Sequence, residues 1–204
     1  ILNSLSNINL KDDSVYFKKT ISLCDTIKLS PEEIGKERIN LERKGKQYAL
    51  LIGIDDYPNN ELKVTRNLNR FYNILNREYD FIEIETLYNY QATPENIKNK
   101  LDWYSENLGE DDDLLVCFSG HGFYNNHDSI GGWIVYNEKW STMDNPRITS
   151  IIDPNGDNLI TNSYIHKFLC DIPKVKDILF VIDACHSGAI LNPPLKSYEQ
   201  DKYK

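Results

Sequence analysis

With 204 residues, 40% of them hydrophobic and 26% charged, the chain can bury the core of one globular domain of ordinary size with some sequence appended. A formal net charge of −8 argues against the concentrated basic surface that a phosphate backbone requires, so nucleic acid is not an expected partner. No apolar run approaches the roughly 18 to 20 residues of a spanning helix and no charged-then-apolar leader opens the chain, which leads us to expect a soluble, cytoplasmic protein with no membrane contact.

Because the chain opens at Ile1 rather than a methionine, a mature product or a piece of something longer is expected. Residues 1–29, rich in Asn, Ser and Lys and without a sustained period, read as a linker or the end of a preceding unit. Ser30-Pro31-Glu32-Glu33 is a helix start, with Ser30 as cap, Pro31 in the first turn and Glu33 completing a capping box. A charged helix over residues 30–45 follows; its mixture of Lys36, Arg38, Arg43 and Lys44 with Glu37 and Glu42 is that of a solvated face.

From residue 46 the pattern changes. YALLIGI, beginning at Tyr48, is a buried strand closed by the turn cluster DDYPNN. Leu62, Leu68, Phe71 and Leu75 mark a helix face, and FIEIETL alternates as a strand. Thr93-Pro94 starts a helix with Ile97, Leu101 and Leu108 on one side. DLLVCFS, Asp113 to Ser119, is another strand, Gly131 to Tyr136 belong to a hairpin, and Thr161 caps a helix carrying Ile165 and Leu169. Ile178 to Asp183 close the series as a buried strand. Apolar strands alternating with helices predict an α/β domain around a mostly parallel sheet.

In such sheets ligands gather beyond the carboxyl ends of the strands. Two strands end in notable chemistry: one runs into Gly120-His121-Gly122, the other into Ala184-Cys185-His186-Ser187-Gly188. If they are neighbours, His121 and Cys185 emerge on the same edge. A thiol becomes a good nucleophile as a thiolate, and an imidazole beside it favours that form and can later protonate a leaving amine. The anionic intermediate of acyl transfer needs preorganised donors, for which the amides of Gly122 and Cys185 are candidates.

Each piece has a bland reading: a cysteine after an apolar strand is often core, and a loop histidine is often solvated. The conjunction of two glycine-bearing strand ends is what favours catalysis. A metal site built from Cys117, His121, Cys185 and His186 competes, but Cys117 lies within a strand and the Cys-His adjacency lacks the ligand spacing of structural zinc. No metal and no cofactor are expected. The four cysteines, Cys24, Cys117, Cys170 and Cys185, are far apart without repeated short spacing, so free thiols are expected.

Phe118-Ser119-Gly120-His121-Gly122 together with Asp183-Ala184-Cys185-His186-Ser187-Gly188 resembles the paired signature of the caspase-like cysteine peptidases, closest to metacaspases and bacterial caspase-like proteases. Cys185 follows His121 by 64 residues, against about 50 in the caspase signature, the surplus falling in the inserted stretch around Trp140 to Asp153. The resemblance covers about residues 46–190 and implies a three-layer α/β/α fold. It makes His121 the base and acid, Cys185 the nucleophile and the amides of Gly122 and Cys185 the oxyanion hole, with His127 and His186 as bystanders.

Two residues before the nucleophile, where aspartate-cleaving caspases carry Gln, metacaspases carry Asp as part of a pocket for a basic residue; this chain has Asp183. A carboxylate there favours Lys or Arg and repels an acidic side chain, although Asp183 can also simply end its strand and bind backbone. The Asn-Asp pair that the family usually places in the helix after the first strand aligns with Asn67-Leu68, so one pocket acid is missing, and Asp55 or Asp56 can share the role. The acidic runs Glu110 to Asp113 and Asp153 to Asp157 lack the spacing of an EF-hand calcium loop and read as solvated turns.

The leading expectation is a cysteine endopeptidase acting on protein substrates, a regulated effector in a bacterial defence or cell-death pathway downstream of a sensor. An inactive caspase-like scaffold is the alternative, and a nucleotide-binding domain is disfavoured because no G-x-G-x-x-G or G-x-x-x-x-G-K-[ST] stretch occurs. The resemblance also implies that residues 46–204 are the large-subunit portion of the catalytic domain. The strands that normally follow are then expected in a small-subunit partner chain or a C-terminal segment. Lys204 is either a self-processing point or simply where the chain stops.

Overall fold

The computed structural model describes residues 45–59, 61–127, 129–142, 158–172, 175–186 and 190; the linker and charged helix expected before residue 45 lie outside them. Strand β1 (Gln47–Gly53) is followed by helix α1 (Val64–Glu78), strand β2 (Phe81–Tyr88) and helix α2 (Pro94–Asn107). Strand β3 (Asp113–Ser119) leads into the short strands β4 (Gly122–Asn125), β5 (Ile130–Ile134) and β6 (Leu159–Thr161). Helix α3 (Asn162–Asp171) and strand β7 (Asp177–Asp183) follow.

The main sheet is parallel throughout, in the order β2-β1-β3-β7. The chain moves from β1 outward to β2 and then back across β1 to β3. Under the right-handed crossover rule, that reversal sends the two connecting helices to opposite faces. The packing agrees. On one face Ala49, Leu51, Leu115 and Cys117 meet Leu68 and Leu75 of α1. On the other, Leu50, Ile52, Val116 and Phe118 meet Ile97, Leu101 and Tyr104 of α2 and Ile165 and Phe168 of α3. Side chains alternate across a strand, so β1 is buried along its whole length, and the result is the expected three-layer α/β/α domain.

Helix starts follow local chemistry with one exception. The Thr93 hydroxyl accepts from the Asn96 N–H at 3.2 Å and the Thr161 hydroxyl from the Tyr164 N–H at 3.2 Å, which caps α2 and α3 as their sequences suggest. Helix α1 has no such cap and no acid in its first turn. Its free N–H groups are met instead by Asp55, whose carboxylate accepts from Val64 N–H at 2.6 Å, from Thr65 N–H at 3.1 Å and from the Thr65 hydroxyl. The acidic run before β3 is also committed: Asp112 accepts from the amides of Lys46 at 2.7 Å and Gly109 at 2.8 Å, and Asp113 from the Gln47 side chain at 3.2 Å. The second acidic run, 153–157, lies outside the described residues.

Two expectations need correction. β7 is not a buried strand: only Phe180 and Ile182 are buried, while Ile178, Leu179 and Val181 are half-buried and Asp183 is exposed. Helix α1 packs chiefly on β1, β2 and β3, and Leu179 and Val181 on the α1 face of β7 reach only the margin of that cluster. The hairpin, in turn, is part of a second antiparallel sheet, β4-β5-β6, which the sequence reading saw only in its β5 portion. Trp133 of β5 stacks on Phe118 of β3, centroids 4.6 Å apart and planes within 4°, and so roots this small sheet in the core beside the end of β3.

Candidate active site

The expected neighbourhood of the two motif strands holds. β3 and β7 pair in register from Asp113–Asp177 to Ser119–Asp183, so their carboxyl ends emerge side by side. The ladder continues past the strands: Ile54 N–H donates to Ser119 C=O at 3.2 Å and Gly120 N–H to Asp183 C=O at 3.2 Å. This edge is also where β1 and β3 send their connections to opposite faces, the crevice in which α/β sheets place ligands.

His121, partly buried, and Cys185, exposed, lie in the two loops that leave this edge. The loops touch. A Cβ on Gly122 would sit 1.9 Å from the Cys185 carbonyl oxygen and 3.5 Å from the Ala184 methyl, so the close approach is open only to glycine. Ile134 N–H donates to His121 C=O at 2.9 Å, which makes Gly122–Trp133 a non-hydrogen-bonded pair of the antiparallel ladder. The Gly122 N–H therefore points away from β5 and is not used by that ladder.

The Asp183 carboxylate accepts a hydrogen bond from the buried Ser119 hydroxyl at 3.1 Å, and its side chain is exposed. Strand alternation puts it on the α1 face with Ser119 and Cys117. Of the other acids considered for the same pocket, Asp55 is corrected outright: its carboxylate is spent on the first turn of α1. Asp56 is exposed beside it. At Asn67-Leu68, Asn67 is exposed and Leu68 is buried against β1, where a Cβ on Gly53 would lie 2.5 Å from its Cδ1.

Cys117 sits in the core under α1, and burial, with a smaller contribution from the Asp183 charge, pushes its thiol from 9.0 up to about 12. Among the described residues no group of three His, Cys, Asp or Glu side chains is placed to hold a metal ion. His127 is exposed, its amide donating to Asn125 at 3.0 Å. His186 adopts a left-handed backbone, φ 58°, with its ring 6.3 Å from that of Tyr124. Cys117, Cys170 and Cys185 are free thiols.

Two neighbours of the site went unassigned in the sequence. Ser119, quoted within the motif without a role, holds the Asp183 carboxylate. Tyr57, read as part of a turn cluster, is buried beside His121, with ring centroids 4.5 Å apart. An aromatic with a hydroxyl placed straight after a buried strand was the available signal, since a buried phenol needs a partner.

A three-layer sheet with these two motif loops at its carboxyl edge defines a caspase-like α/β domain. The chain matches the family model described as the caspase domain over residues 46–203 and belongs to that family of cysteine peptidases. Among solved structures, protein GSU0716 from Geobacter sulfurreducens is similar in fold, with a TM-score of 0.50 at 18% identity, over 70% of this chain and 51% of that one. The chain thus spans about half the length of that protein. No curated protein matches the chain. Among the described residues no helix is long and apolar enough to cross a membrane.

Proposed function

We propose that this chain is a cysteine endopeptidase that cleaves proteins after Lys or Arg through a Cys185–His121 dyad. The observation that carries the reading is the contact between the two motif loops, in which Gly122 lies against the Cys185 backbone at the end of paired strands. In the proposed reaction the Cys185 thiolate attacks the scissile carbonyl, and the amides of Gly122 and Cys185 receive the oxyanion. As the C–N bond breaks, His121 gives its proton to the leaving amine. Water then attacks the thioester, His121 takes a proton from it, and the carboxylic acid leaves with the Cys185 thiolate and the protonated His121 restored.

Asp183 supplies the selectivity. Its exposed carboxylate, oriented by Ser119, pairs with a Lys or Arg of the substrate and repels an acidic one. With Leu68 where the family usually has an acid and Asp55 committed to α1, Asp183 carries the preference, with the exposed Asp56 as the one other acid named for the pocket. The proposal extends, on the family resemblance, to a regulated cytoplasmic effector in bacterial defence or cell death, switched by an upstream sensor. It also includes a further segment or small-subunit chain pairing along β7, and self-processing.

A peptide library tests the core of this reading. Cuts should fall on the carboxyl side of Lys or Arg and vanish in Cys185→Ala. Cuts after Asp, or none by a protein whose Cys185 is alkylated no faster than in His121→Ala, contradict it, the latter favouring a silent scaffold. A shorter fragment of the protein that accumulates with time and is absent from the Cys185→Ala protein is the expected mark of self-processing.

A further inference from the structure

We propose that Tyr57 is a positioning residue for His121, its phenol fixing both the backbone and the ring of the histidine assigned above as the partner of Cys185; the assignment rests on the peptidase reading above. Tyr57 follows β1 in the DDYP turn, yet its side chain is only 2% exposed. Its hydroxyl accepts from the His121 N–H at 3.0 Å and donates to the Ile134 C=O at 2.7 Å. Ile134 closes the circuit by donating its own N–H to the His121 C=O at 2.9 Å. The His121 peptide groups are thus held on both sides by a three-residue ring that joins β1, β3 and β5.

The His121 ring is held as well. It meets the Tyr57 ring edge-on at 66°, and Trp140, 5.6 Å away, stands against Tyr57 from another direction. The circuit needs a group that accepts and donates at once, which a phenol does and a phenylalanine cannot. Burial raises the Tyr57 pKa well above its ordinary value, outweighing the hydrogen bond from His121 N–H that acts the other way, and the nearby Asp55 charge adds to the rise, so the proton given to Ile134 stays in place through the working range. Gly120 makes room: a Cβ there would lie 2.6 Å from the Tyr57 hydroxyl and 3.0 Å from the Phe118 ring.

These contacts make the phenol adjust catalysis through His121 rather than touch substrate. A general acid and base must be held in its productive geometry, and losing that geometry slows the chemical step more than it weakens binding. Tyr57→Phe keeps the ring and removes the circuit. We expect kcat on a Lys or Arg peptide to fall about tenfold or more with KM within about twofold. The pH midpoint of Cys185 alkylation by iodoacetamide, followed at that residue by peptide mapping, should rise by about half a unit or more as the imidazole couples less well to the thiolate. A purely structural role would lower the melting temperature and leave that midpoint alone.

Gly120→Ala is the second variant, because its methyl displaces the hydroxyl while Tyr57 remains; it should reproduce both signatures and decides the matter should Tyr57→Phe not fold. Folded variants with the wild-type kcat and alkylation midpoint overturn the assignment and leave the peptidase reading standing. A wild type whose Cys185 reacts no faster than in His121→Ala overturns both.

Discussion

Two thiols on neighbouring strands show how position along one sheet divides packing from chemistry. Cys117 lies inside β3, buried under α1 among Ala49, Leu51, Leu68, Leu75 and Leu115, and burial pushes its thiol up to about 12. Cys185 lies two residues past the end of β7, exposed, against a loop that carries His121 and a glycine that only glycine can replace. The residue type is the same. In the interior apolar packing surrounds the thiol and penalises its charged form, and the Asp183 charge adds to that penalty. At the carboxyl edge the strands have ended, the loops carry glycine, and the Gly122 amide is turned away from its ladder.

Changes at the two places should therefore differ in kind, and the largest contrast comes from the dyad. Cys185→Ala and His121→Ala should each lower peptide cleavage by about a thousandfold or more while leaving the far-ultraviolet circular dichroism and melting temperature near wild type. Activity retained in either folded variant would erase the distinction between edge and interior.

Gly122→Ala comes next. Its methyl would meet the Cys185 carbonyl oxygen at 1.9 Å, so the loops must part and the amide must leave its place. A loss of about a hundredfold in kcat is expected, on the scale of one lost oxyanion donor, with KM little changed. A wild-type rate with alanine there would remove Gly122 from the oxyanion hole.

Asp183→Asn should reduce kcat/KM for Lys and Arg peptides by about tenfold to a hundredfold, the worth of a hydrogen bond to a charged group. Alkylation of Cys185 should stay within about twofold of wild type, because a pocket charge is lost and the nucleophile is not. An equal fall in both rates would mean that Asp183, tied to Ser119, only shapes the loop.

The smallest effect belongs to the interior thiol. Cys117→Ala should leave cleavage unchanged and cost about 1 kcal/mol of stability through the small cavity it creates. The wild type has an additional pH signature. Its thiol is held above the ordinary 9.0, so the folded state keeps a proton that the unfolded state has lost, and this contribution, full below pH 9, fades as the pH rises toward about 12. The melting temperatures of wild type and Cys117→Ala should approach each other and then cross over that range; a constant difference between them would mean Cys117 titrates normally.

The residues legible in advance were those whose signal is local. YALLIGI and DLLVCFS read as buried strands because burial on both faces leaves a continuous apolar run, and Thr93-Pro94 and Thr161 read as caps because a cap acts within three residues. The motif pair was legible because each half stands at a strand end beside glycine. Partners distant in sequence were not. Asp55 caps a helix that starts nine residues later, Tyr57 meets residues 64 and 77 positions away, and the half-exposure of β7 depends on where α1 packs. β4 and β6, four and three residues long, are too short to show a period.

The central claim is that Cys185, activated by His121, acts on a carbonyl held beside a basic residue. Its most direct test is covalent trapping with matched peptidyl chloromethyl ketones ending in Arg or Asp, read by intact mass and peptide mapping. The account predicts a single adduct on Cys185, formed faster with the Arg reagent than with the Asp reagent and lost in His121→Ala. Equal labelling by the two reagents, or labelling of Cys185 that persists unchanged without His121, would contradict it.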